Sequence, residues 1–201
     1  GRIMAGGTQI RVFRNTPELR YQNRIHEELS VGGKPWLVVD GCSQFSIFHT
    51  GYGEAADGQG QKGKRNISII LKELEERPDN YHMMGYLADS YSTMGEKEKA
   101  REWYYKAIQC MPEEIPETDS RSVSTFCWLI VTLRELEADE EELLKVYNQA
   151  VKKIPKDADF DFLIGEYYRK KHYYQKAVYY FKRSIEVLDQ YGIAVRSMIA
   201  S

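Results

Sequence analysis

The stretch NYHMMGYLADSYSTMGEKEKAREWYYKAIQCMP, residues 80–112, decides the fold. It closes on Pro112, 34 residues after Pro78, and between these prolines Leu87, Ala88, Tyr91, Ala100, Tyr104 and Ala107 alternate apolar, small and aromatic. That order and period are the signature of a tetratricopeptide repeat, two helices joined by a turn. Asn80 is placed to cap the first helix, about Tyr81 to Met94. Gly95 marks the turn, and the second helix spans Lys97 to Cys110. Small Ala88 and Ala100 let the two helices approach closely, and Tyr104 fills the space beyond.

The period continues downstream. A second repeat ends at Pro155, 43 residues after Pro112, with its excess in the polar loop Glu113 to Arg121. Cys127, Ile130, Leu143, Tyr147 and Ala150 take its packing positions. Arg134 and Leu143 stand where an aromatic and an alanine are expected, so this copy is degenerate. A third repeat places Ile164, Gly165, Tyr168, Ala177 and Phe181 in register, with helices over about Asp157–Lys170 and Tyr174–Asp189. Upstream, Ile67, Ile70, Leu71 and Leu74 draw one apolar stripe along a helix from Lys64 to Arg77. The expected solenoid therefore has seven helices, three pairs behind a leading one. Three repeats are about the minimum for a continuous core.

Composition bounds the function. The 201 residues are 42% hydrophobic and 29% charged, with a formal net charge of −2. That balance gives no electrostatic case for nucleic acid or an anionic membrane. Cys42, Cys110 and Cys127 are far apart and form no CxxC, which reads as reduced thiols in a cytoplasmic protein. No apolar run is long enough for a transmembrane segment. Beginning on Gly1 rather than Met, the chain reads as a piece of a longer protein.

Repeat helices of this type present a surface. The first helices should line it with His82, Asp89, Trp128, Thr132, Phe162, Glu166 and Arg169, a partner groove or an ordinary solvated face. The paired tyrosines read as core filling rather than a stacking platform. Asp157, Asp159 and Asp161 have DxD spacing, but they open a helix, where capping is the expected role.

Ahead of residue 60 the character is extended. Ile10 to Arg14 alternates with period two, and Arg20 to Leu29 and Pro35 to Phe48 are also strand-like. Gly51 to Gly63 holds five glycines and reads as a linker. Arg11 and Arg14 on one strand face could clamp an anion. His26 and Glu27 could hold a metal or move a proton, or form a cross-strand salt bridge, and His49 precedes Gly51-Tyr52.

The run RVFRNTPELRYQNRIHE (residues 11–27), the HTGY of residues 49–52 and KGKRNISIILKELEERPDN (residues 62–80), in that order, resemble bacterial family 2 glycosyltransferases that carry tetratricopeptide repeats. The resemblance covers roughly residues 10–112. It implies a small β segment, residues 1–58, from the end of a GT-A-type catalytic domain, followed by a mainly α repeat domain over 59–201. It also implies a nucleotide-sugar donor, a protein or glycan acceptor and a divalent metal, Mg or Mn, in the parent enzyme. Arg11 and Arg14 would then bind donor phosphate, His26 and Glu27 would be catalytic, and His49 would contact the metal. The nucleotide-binding half is missing, so the piece alone is expected to be inactive. The rival expectation is a free-standing tetratricopeptide adaptor with an accessory β hairpin. In either case the apolar residues of 1–50 need cover, from the first helices or across a homodimer.

Overall fold

A computed structural model describes residues 13–14, 16–22, 24–25, 28–31, 56–116 and 119–192. The chain divides into two compact units, Gly1–Gly58 and Gln59–Ser201.

In the first unit, β1 (Arg20–Gln22) pairs antiparallel with β2 (Glu28–Ser30), Tyr21 opposite Leu29. The strand-like run Arg20 to Leu29 is thus a hairpin rather than one strand. Thr16 and Leu19 carbonyls accept hydrogen bonds from Arg20, at 3.0 and 2.8 Å. The Phe13 ring meets Tyr21 edge-on at 6.0 Å. The expected strands Ile10–Arg14 and Pro35–Phe48 fall almost wholly outside the described residues.

The second unit is helical. Its elements are α1 (Ala56–Glu76), α2 (Tyr81–Thr93), α3 (Lys97–Cys110), α4 (Ser120–Glu135), α5 (Glu140–Lys153), α6 (Asp159–Lys170) and α7 (Tyr174–Tyr191). α2 packs with α3 and α6 with α7 as hairpins, while the first helices α2, α4 and α6 also touch in sequence. The second helices α3 and α5 each pack on the first helix of the following repeat. This is a tetratricopeptide-like stack of three helix pairs behind a leading helix. The core holds Leu87, Ala88, Ala100, Tyr104 and Ala107 of the first pair, and Phe126, Ile130 and Leu143 of the second. The third contributes Phe160, Ile164, Tyr168 and Ala177. Phe126 meets Phe160 edge-on at 6.1 Å, the aromatic seam between repeats two and three.

Local chemistry sets the ends. The Asn80 side chain accepts from the Met83 amide at 3.2 Å, and Asp119 and Asp139 cap α4 and α5 in the same way. Each hairpin turn has one left-handed residue, Gly95 (φ 80°), Glu137 (φ 54°) or His172 (φ 62°). In each, the next amide bonds back five residues, to Tyr91, Leu133 or Tyr168, closing the helix by a Schellman motif. Only the first turn uses the residue for which that conformation costs least.

Three details differ from the sequence reading. The glycine-rich segment is helical from Ala56, and Gly63 lies where a Cβ would come within 2.9 Å of Met94 Cγ. It therefore serves packing, not looseness. Phe181 is half-buried rather than buried, lying over Gly165, where a Cβ would stand 2.6 Å from its ring. Thr132 is only 1% exposed, so it belongs to the core and not to a groove.

Candidate protein-interaction face

The face formed by α2, α4 and α6 is built differently along its length. On α2, Asp89 accepts the Tyr104 hydroxyl at 2.7 Å and the Arg121 guanidinium at 2.6 Å. Burial and the neighbouring carboxylate push the Tyr104 hydroxyl up, beyond the ordinary tyrosine range. Arg121 also lies over the Tyr86 ring at 4.6 Å and donates to Thr125. It reaches across because residue 85 is glycine. A Cβ there would fall 2.7 Å from Thr125 Oγ1 and 3.0 Å from Arg121 Nε. Sequence reasoning missed Arg121 because it lies in the inserted segment, outside the repeat register; the bare Gly85 opposite was the available signal.

His82 is tied down as well. Its Nε2 lies 2.9 Å from Asp119 Oδ2, which also accepts from Tyr81 at 3.2 Å and from Ser122 Oγ at 2.7 Å. Burial opposes ionisation of Asp119, but the hydrogen bonds from His82 and Ser122 outweigh it and hold the carboxyl well below the usual range. His82 and Asp89 thus act as inter-helix ties.

Further along, the same positions are open. Trp128 on α4 is 42% exposed. Phe162, its counterpart 34 residues on, is half-buried against Phe181 at a ring separation of 5.8 Å. Glu166 and Arg169 close a surface pair at 2.7 Å. The arrangement offers apolar aromatic surface beside a neutralised charge pair, suited to docking a side chain and not to covalent chemistry.

The three aspartates of 157–161 turn inward. Asp157 accepts the Asp159 amide at 3.0 Å, a capping bond at the start of α6. Burial lifts its carboxyl to about 6. Asp161 accepts the Tyr147 hydroxyl at 2.7 Å and faces Arg183 at 3.3 Å. Among the described residues no three His, Cys, Asp or Glu side chains gather as a metal would require. Of the residues assigned to phosphate, catalysis or metal, Arg14 is exposed. Arg11, His26, Glu27 and His49 lie outside the described residues. No described helix is long and apolar enough to cross a membrane.

Solved structures share the helical fold. That named "MamA MSR-1 C2" is 17% identical, with a TM-score of 0.50, over 64% of this chain and 69% of its own. That named "MamA AMB-1 P212121" is 18% identical, with a TM-score of 0.49, over 63% and 70%. At this identity the first likeness shows the tetratricopeptide-like fold alone. No family model matches the chain, and no curated protein matches it. Nothing in these comparisons supports a glycosyltransferase origin.

Proposed function

We propose that the chain is a protein-interaction module that holds an extended segment of a partner protein across α4 and α6. The observation that carries this reading is the pair Trp128 and Phe162, equivalent positions of adjacent repeats, the first 42% exposed although it is the largest apolar side chain type. Aromatic residues of this kind dominate binding energy where they are desolvated by a partner. The partner segment should present an apolar side chain to Trp128, because the charged groups nearby are already paired with each other. The tetratricopeptide-like fold favours the same class of function.

The reading as the closing part of a glycosyltransferase rests on Arg11, Arg14, His26, Glu27 and His49 together with the attached repeats. The fold-likeness fits the adaptor reading better. A nucleotide sugar and a divalent metal belong only to the former.

Selection from a displayed library of random twelve-residue peptides tests the proposal. Binders should be enriched and should share an apolar anchor, and Trp128→Ala should abolish their retention. A library that yields no binders, or binders indifferent to Trp128→Ala and Phe162→Ala, would sink it.

A further inference from the structure

The last helix shows an apolar face that its counterparts hide. Ile108 and Met111 of α3 are each 7% exposed, covered by the following repeat. Leu144, Val151 and Ile154 of α5 are likewise packed against the core. In α7 the equivalent residues are Val178, Ile185 and Leu188, and Val178 and Ile185 are 52% and 55% exposed. With Tyr174 and Phe181 they form a seam at alternating spacings of four and three, the pattern of a coiled-coil interface. The opposite end of the stack is unlike it. There α1 exposes Lys64, Arg65, Ser68, Lys72, Glu75 and Glu76, a polar outer face suited to water. A head-to-tail contact between copies would set this polar face on the apolar seam, so the seam does not match the other end of the same molecule.

It matches itself. Lys170, Lys171 and Lys176 stand at or before the start of α7, and Glu186 and Asp189 near its end. Two α7 helices laid antiparallel bring basic start to acidic end twice and place Val178 of each copy near Ile185 of the other. A parallel arrangement would oppose like charges. We infer that α7 is a two-fold, antiparallel contact through which a second copy of this chain covers the Tyr174–Val178–Ile185–Leu188 seam. This surface is distinct from the face on α4 and α6, so the dimer would present two copies of that face.

Sedimentation equilibrium of residues 1–201 between about 1 and about 200 μM is the test. The full chain should associate reversibly into dimers and no higher species. Val178→Glu with Ile185→Glu should raise the dimer dissociation constant about a hundredfold or more, with helicity by circular dichroism unchanged. If that variant fails to fold, Val178→Ala with Ile185→Ala should weaken the dimer in the same direction. Glu186→Lys with Asp189→Lys should weaken it too, and added salt should reduce that difference. A chain that stays monomeric throughout, or a dimer indifferent to these substitutions, overturns the inference. So does a monomeric full chain that dimerises once residues 193–201 are removed, which would show the chain's own end covering the seam.

Discussion

The junction of repeats one and two and the junction of repeats two and three solve the same packing problem with opposite chemistry. At the first, a bare Gly85 admits Arg121, and the charge of Asp89 is used up between Tyr104 and Arg121. At the second, Phe126 and Phe160 interlock inside and Trp128 stands partly in water. The polar junction makes the inner face into glue. The apolar junction keeps its glue in the core, which frees the inner face for a partner. Helix positions that coincide in the repeat therefore have different uses.

Replacing the aromatic seam should have the largest effect. Phe126→Ala leaves a cavity between α4 and α6 and should cost about 3–5 kcal/mol in chemical denaturation. A loss below 1 kcal/mol would show that the seam does not hold the second junction. Asp89→Ala strips Arg121 and Tyr104 of their shared acceptor and should cost about 2–3 kcal/mol. If it proved neutral, the first junction would rest on apolar contacts like the second, and the contrast would disappear.

Much of this architecture was legible because the 34-residue period fixes which side chains meet inside a helix pair. Ala88, Ala100 and Tyr104 are buried as their positions require. The period says less about contacts between pairs. Thr132 falls on the register of an inner-face residue, yet it is buried, because the degenerate second repeat turns α4 more deeply into the stack. Arg121 belongs to an insertion with no register at all. Glycine misled in the opposite sense. The run before residue 63 reads as loose chain, while Gly63 is small because Met94 lies against it. In the first unit, residues 23–27 contain neither Gly nor Pro, so nothing in their composition announces the hairpin between β1 and β2.

The buried aspartates at the start of α6 sharpen the contrast through pH. Asp157 has its folded pKa raised to about 6 by burial, above the ordinary carboxylate value of about 3.9. A raised acid binds its proton more tightly when folded, so it destabilises the fold above pH 6, and that cost disappears as pH falls through 6 toward 4. Asp157→Asn keeps an acceptor for the Asp159 amide and should stabilise the protein by about 1–3 kcal/mol at pH 7, with no gain at pH 4. Thermal melts at the two pH values read this directly, and an equal effect at both would refute it. The smallest expected effect is at the second turn, where Glu137 adopts φ 54°. Glu137→Gly should stabilise by about 1 kcal/mol in chemical denaturation, whereas a loss would show that the side chain matters more than the backbone.

The most direct test of the contrast is calorimetric titration of one selected peptide into the wild type, Trp128→Ala and His82→Ala. The account predicts that Trp128→Ala weakens binding at least about thirtyfold while His82→Ala, on the junction whose inner face is spent, changes it less than about threefold. Equal affinity for wild type and Trp128→Ala, or a larger loss at His82, would contradict it.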